Sequence, residues 1–275
     1  MPATSAAYAR LSAVFPGLRI TAAAPPPDGG WVCVAELARG GPALAAFVAG
    51  DARRLTGAHG ARPRPDVAAA LALHRYLWPA CLLFTVPWFL HRRVPRLPVG
   101  DVGFHPASGR FTARTRTFAC LPQDAAAALP GARAVASPDA LREELRAALD
   151  EHLTAVLAGF APLLRRGPRA LWRSAHDEIT EGLWYIGRLL GEEDRAVAEL
   201  SQLLPGKARF AAAGPAGPAA RTGSAGPDAP ADAASRPARE RLTCCLFYTV
   251  SPSGTCAGCP RTRASGRIRS PASAV

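Results

Sequence analysis

The pattern of apolar and polar positions divides the chain into a mixed first half and a helical second half. Residues 5–14 have the spacing of a short amphipathic helix. After the loop PPPDGG, Trp31 to Leu37 (WVCVAEL) predicts a strand from its β-branched content. Gly40-Gly41-Pro42 breaks that run, and Ala43 to Leu55 predicts a helix. Past RPRPD, Asp66 is placed to cap a helix reaching about Trp78. Residues 99–105 and 110–119 predict two strands joined by a turn at 106–109. In the second, Phe111, Ala113, Thr115 and Thr117 share one face and Arg114 and Arg116 the other, the period-two pattern of a strand with one wet face.

In the second half, Ser137-Pro138-Asp139 supplies an N-cap, a proline for the first helical position and an early acid. Leu141, Leu145, Leu149, Val156 and Phe160 then line one helical face. Gly167-Pro168 separates a second helix, Arg169 to about Leu190, closed by Gly191. Glu192-Glu193-Asp194 opens a third, ending near Pro205. The most apolar stretch, Tyr76 to Leu90, is interrupted by Pro79 and Pro87 and is shorter than the roughly 20 residues that span a membrane. It predicts a buried core segment, with peripheral contact at the inner face of a membrane as the minor alternative. Residues 1–20 show no cationic run followed by an apolar stretch, so no signal peptide is expected and the expected location is cytoplasmic. The fold class expected is α+β: a mainly helical body with a small antiparallel sheet from residues 31–37 and 99–119, plus a cysteine-rich arm.

Composition sharpens this picture. Hydrophobic residues make up 49% of the 275, enough for a true core. There is no G-x-y period and no sustained heptad, which excludes collagen and coiled coil. Residues 208–239 carry no large apolar side chain after Phe210. Such a segment buries too little surface to offset chain entropy, and it predicts a flexible Ala/Pro/Gly linker. The expected organisation is therefore a body over 1–207, a linker over 208–239, an arm over 240–262 and a basic tail over 263–275. The net charge is +12, and only one of the 33 basic residues is lysine, Lys207. Asparagine is absent. Codon usage in a GC-rich genome accounts for such an arginine excess, and with no aromatic–basic RNA signature or zinc-finger spacing, no nucleic-acid partner is expected.

The cysteines carry the chemistry. Seven is an odd number, and they are unevenly spread, which argues against a secreted disulfide scaffold. Four fall in LTCCLFYTVSPSGTCAGC, as C-C-x10-C-x2-C through Cys244, Cys245, Cys256 and Cys259. Leu246 to Val250 predicts a strand and Ser251 to Gly254 a tight turn, so a hairpin returns Cys259 beside Cys245. Neighbouring Cys244 and Cys245 would face opposite sides of a regular strand, so both can be ligands only if the backbone kinks there. Four thiolates satisfy a two-iron cluster. They also satisfy zinc, which would make the arm the staple of a binding or regulatory module whose basic tail contacts nucleic acid or another polyanion. A pair of disulfides is the third reading. Cys33, Cys81 and Cys120 stand singly and read as ordinary buried residues.

At these residues the chain resembles the FhuF-type ferric-siderophore reductases, which end in a C-C-x10-C-x2-C motif binding a [2Fe-2S] cluster. Cys244, Cys245, Cys256 and Cys259 match it position by position. RALWRSAHDEITEGLWYIGRLL (Arg169 to Leu190) is similar to the Leu-Trp helix that precedes the cluster arm. The resemblance implies a cytoplasmic oxidoreductase that releases iron from an imported ferric siderophore by one-electron outer-sphere transfer. The four cysteines would be the cluster ligands and an external electron donor would be required, since no nucleotide or flavin fingerprint is present. Arg169, Trp172 and Arg173 are candidates to line a substrate cleft. Asp177, Glu178 and Glu181 read as the wet face of their helix. His176 has no second histidine at ligand spacing. Arg261, Arg263, Arg267 and Arg269 follow the cluster motif as a solvated basic tail.

Overall fold

The computed structural model describes residues 3–211, 238–251 and 259–261. Helices dominate: α1 (Ser5–Val14), α2 (Val34–Arg39), α3 (Gly41–His59), α4 (Pro65–His91), α5 (Pro138–Phe160), α6 (Pro168–Leu189) and α7 (Glu193–Leu203). Two small sheets complete the body. One orders β1 (Ile20–Thr21), β5 (Arg110–Ala113), β4 (Val102–His105) and β2 (Val32–Cys33). The other orders β3 (Arg93–Arg96), β6 (Thr117–Cys120) and β7 (Ala132–Ala134). The α+β expectation holds. The sheets are mixed rather than antiparallel, because β1 runs parallel to β5 and β7 parallel to β6.

α4 is the spine. The expected short helix and the apolar segment after it are one 27-residue helix, long and apolar enough to cross a membrane, yet 72% of its most apolar window is buried inside the protein. Its first turn begins at Pro65 with Arg64 as N-cap, so Asp66 lies inside the helix. Pro87 cannot donate to the carbonyl of Leu83. The Tyr8 hydroxyl on α1 fills that vacancy, donating to Leu83 O at 2.9 Å. α6 lies against α4, and Gly182 makes the approach possible: a Cβ there would stand 3.1 Å from Leu82 Cδ2 and 3.5 Å from the Trp78 carbonyl.

The expected α5 cap is present, with Ala140 N–H donating to Ser137 Oγ at 3.1 Å. The expected strand over Trp31 to Leu37 is corrected. Only Val32 and Cys33 pair with β4; Val34 then starts α2, whose Glu36 carboxylate accepts from the Cys33 amide at 3.2 Å. A helix-start hydrogen bond thus overrides the β-branched run. α2 packs on α5 at Gly159, where a Cβ would sit 2.4 Å from the Leu37 carbonyl.

His152 on α5 is fully buried. Its Nδ1–H donates to the Leu97 carbonyl at 2.8 Å, and its Nε2 accepts from the Tyr76 hydroxyl at 2.7 Å. Burial pushes its pKa down to about 4. Because this folded value lies below the ordinary value of about 6.5, the unfolded chain binds the extra proton between those two pH values. Stability is therefore expected to fall on acidification from about pH 6.5 to pH 4, by up to about 1.4 kcal/mol per pH unit for this residue. Denaturant unfolding across that window checks it: His152→Gln should flatten the slope by one proton.

Candidate metal centre

The arm returns to the body through a short ladder. β8 (Phe210–Ala211) pairs antiparallel with β9 (Ala238–Arg239), so the two ends of the expected linker are joined, while 212–237 lie outside the described residues. Arg239 and Arg241, two apart on an extended segment, face the same side. α6 presents Asp177, Glu178 and Glu181 to them. Arg239 donates to Glu181 Oε2 at 2.5 Å and to the Asp177 carbonyl at 2.7 Å. Arg241 donates to Glu181 Oε2 at 2.8 Å and to Glu178 Oε1 at 2.6 Å. The other Glu178 oxygen pairs with His74 Nδ1 of α4 at 2.8 Å. Asp177 clamps the next two residues: Leu242 N–H donates to its Oδ1 at 2.7 Å, and Thr243 donates to Oδ2 from both its amide (2.9 Å) and its hydroxyl (2.8 Å).

These carboxylates are not a wet face. Asp177 and Glu178 are 2% and 1% exposed, and Arg239 and Arg241 are 6% and 7%. Burial would raise the Glu178 pKa, but His74 and Arg241 outweigh it and hold the carboxyl below its usual range. Burial would likewise lower His74 and Arg241; the carboxylates carry both above their ordinary values. For Asp177 burial wins over the donated hydrogen bonds, and its pKa is raised.

Past this seat the arm turns sharply. Arg166 donates to the Cys244 carbonyl at 2.6 Å. Leu246 adopts a left-handed conformation, φ +67°, and its amide donates to Cys244 Sγ at 3.4 Å. The backbone therefore turns sharply directly after the neighbouring cysteines. The expected strand over Leu246 to Val250 is corrected to a 3-10 turn, Phe247–Thr249, with Val250 buried against Leu55, Val67 and Leu71. Cys244 and Cys245 are half-buried and Cys259 is buried. Cys245 borders a small cavity shared with Arg166, His74, Glu178 and Arg241. Cys256, most of the expected turn and the tail beyond Arg261 lie outside the described residues. Among the described residues no three His, Cys, Asp or Glu side chains are gathered as a metal-holding group. What the arm does show fits a thiolate-ligated cluster: soft sulfur donors, a sharp turn directly after the two neighbouring cysteines and an amide aimed at one sulfur. Of the other cysteines, Cys81 and Cys120 are buried, and burial pushes their thiols up, while Cys33 is half-buried.

The structure brings Arg169, Trp172 and Arg173 together. They line one cleft of about 460 Å³ with His176, Lys207, Arg209 and Leu242 of the arm. Burial and the nearby Lys207 push His176 down to a pKa of about 4, so its ring is neutral at pH 7. A second cleft of about 590 Å³ touches the arm at Phe247, whose ring meets His59 edge-on at 5.3 Å. The residues missed from sequence are those of the seat: Asp177, Glu178, Glu181, His74, Arg239 and Arg241. The available signal was the R-x-R of Arg239-Glu240-Arg241, two cations on one side of an extended segment.

Removing one member of this seat strands a buried charge. Arg241→Ala is expected to destabilise the protein by about 3–5 kcal/mol, measured by denaturant unfolding. Asp177→Ala should leave the body folded while hydrogen exchange at the Leu242 and Thr243 amides accelerates to that of unprotected amides.

Residues 241–261, the segment that begins at the Arg241 anchor and runs through the cysteines, match the family model of the FhuF 2Fe-2S C-terminal domain. No curated protein and no solved structure matches the chain. Residues 241–261 are thus a FhuF-type C-terminal domain, and the cofactor of that domain is a [2Fe-2S] cluster.

Proposed function

We propose that this protein is a cytoplasmic ferric-siderophore reductase, which accepts electrons singly from an external donor and releases Fe(II). The observation that carries the reading is the fixed seating of the FhuF-type 2Fe-2S arm beside a ligand-sized cleft on α6, with Leu242 a member of both. Siderophores hold Fe(III) through hard oxygen donors, and Fe(II), softer and less charged, is held far more weakly. One electron per iron therefore completes the reaction: Fe(III) becomes Fe(II), and the chelator leaves by exchange with water and protons. When bound by Cys244, Cys245, Cys256 and Cys259, a [2Fe-2S] cluster supplies one electron at a time.

The chain's own residues do the rest. Asp177, Glu178 and Glu181 hold the arm through Arg239 and Arg241. The Leu246 amide and the Arg166 guanidinium place positive ends of dipole and charge at Cys244, which favours the reduced, more negative state. Arg169, Trp172 and Arg173 form the wall on which substrate rests two residues before Cys244. No nucleophile and no proton-transfer residue is needed.

Anaerobically purified protein is expected to be red-brown, with iron and acid-labile sulfide in equal amounts. After reduction and removal of excess reductant, adding a ferric siderophore should restore the visible absorption and deliver Fe(II) to a ferrous chelator. Cys245→Ser should lose the stoichiometric cluster. Stoichiometric zinc without iron would overturn the reading in favour of a zinc-stapled polyanion-binding module, and a cluster that reoxidises without Fe(II) appearing would overturn the reductase activity.

A further inference from the structure

The cleft on α6 gathers four cations and no carboxylate around one concavity. Several exposed arginines elsewhere answer to carboxylates: Arg114 and Arg116 share Asp101, and Arg133 shares Glu144 with the half-buried Arg96. Arg169, Arg173, Lys207 and Arg209 are all exposed, and among the described residues none forms an ion pair. Lys207 lies within the field of Asp150, but that carboxylate also faces Arg146. No acidic residue lines the cleft, and its floor is the half-buried Trp172 ring beside His176, 5.9 Å between centroids. A genome that favours arginine explains how many arginines there are. It does not explain four unpaired cations facing one concavity around an indole.

Like charges gathered without counterions repel one another, and the arrangement gains free energy when an anion enters. At about 460 Å³ the cleft has the size of small-molecule sites rather than of a macromolecular face. We propose that this cleft selects iron(III) chelates of net negative charge, such as tris-catecholate complexes, over neutral trihydroxamate complexes. The aromatic floor suits a catecholate ring, and the cations suit the 3− charge of the complex. The identity of the ligand as an iron chelate rests on the reductase reading above; the charge selectivity rests on the cleft alone.

Gallium(III) separates binding from redox chemistry, since it shares the charge and approximate size of Fe(III) but is not reduced to a divalent ion under these conditions. Equilibrium dialysis of the full-length protein with a gallium tris-catecholate siderophore and with a neutral gallium trihydroxamate measures the preference directly. The anionic complex is expected to bind about tenfold tighter at low salt. The preference should shrink as ionic strength rises, because exposed charges are screened within about 8 Å at physiological salt. The double variant Lys207→Gln, Arg209→Gln should bring the two affinities together by weakening the anionic complex more than the neutral one. Both side chains are exposed and unpaired, so the fold should survive; the salt titration of the unaltered protein gives the same test without any substitution. Equal binding of the two complexes, binding of neither, or a preference insensitive to salt would each overturn the proposal. The two readings fail separately. If the reduced protein is reoxidised by a neutral ferric trihydroxamate while the gallium complexes bind alike, charge selection is wrong and the reductase stands. If the gallium preference holds while no ferric chelate reoxidises the protein, the reductase reading is wrong and the anionic-chelate site stands.

Discussion

A buried lattice of ion pairs between α6 and the returning chain fixes where the cysteines can be. Three carboxylates, Asp177, Glu178 and Glu181, meet two guanidiniums and the His74 imidazole, with most of these groups out of water. Taking so many charges from water is costly, and such a lattice is not by itself a source of net stability. What it supplies here is register. Slide the arm by one residue and Arg239 and Arg241 would point away from Glu181, leaving it unmatched and Glu178 with His74 alone. The Asp177 carboxylate fixes the next two residues by their amides, so the position of the chain is set up to Thr243, the residue before the first cysteine.

The seat is also tied to the core. His74 and Arg75 are neighbours on α4, the most buried helix. His74 turns to Glu178 of α6, and Arg75 to Asp51 of α3 at 2.7 Å and to the Pro106 carbonyl at 2.8 Å. Gly182 lets α6 lie close enough to α4 for the first of these contacts. A long Ala/Pro/Gly segment between body and arm is compatible with this fixed docking. Loop-closure entropy rises only logarithmically, by about 0.6 kcal/mol for each doubling of length, and the β8–β9 ladder brings the two ends together where the ion pairs begin.

Local signals made much of this legible before the fold. The Ser137-Pro138-Asp139 start of α5 and the Gly191 end of α6 are written into adjacent residues, and the structure follows them. Spacing alone named the four cysteines, and the structure turns the chain sharply at the left-handed Leu246 just after the first two. The failures have a common cause. Val34 to Leu37 and Leu246 to Val250 are rich in β-branched and aromatic residues, and both read as strands. In the first, the Glu36 carboxylate captures the Cys33 amide. In the second, Val250 finds a hydrophobic pocket on α3 and α4, and a tight turn reaches it. The misreading of Asp177, Glu178 and Glu181 is of the same kind. Their partners are about sixty residues away, and no window on one helix contains Arg239 or Arg241.

The arginine excess changes meaning once pairing is considered. Counted along the chain, the charge is a property of composition. Counted in space, arginines divide into those answered by carboxylates and those that are not. Arg241 belongs to the first group. Although it borders the same small cavity as Cys245, Glu178 and Glu181 compensate its charge, so its field at the sulfur is largely cancelled. Arg166 belongs to the second: its only hydrogen bond among the described residues is to the Cys244 carbonyl, and it has no carboxylate partner there. Opposite charges at contact cancel at a distance, whereas an uncompensated one acts over several ångströms in a half-buried site. Of the two cations beside Cys244 and Cys245 it is therefore Arg166, not the better-buried and better-bonded Arg241, whose charge reaches the sulfurs; the role of Arg241 is to hold the arm in place.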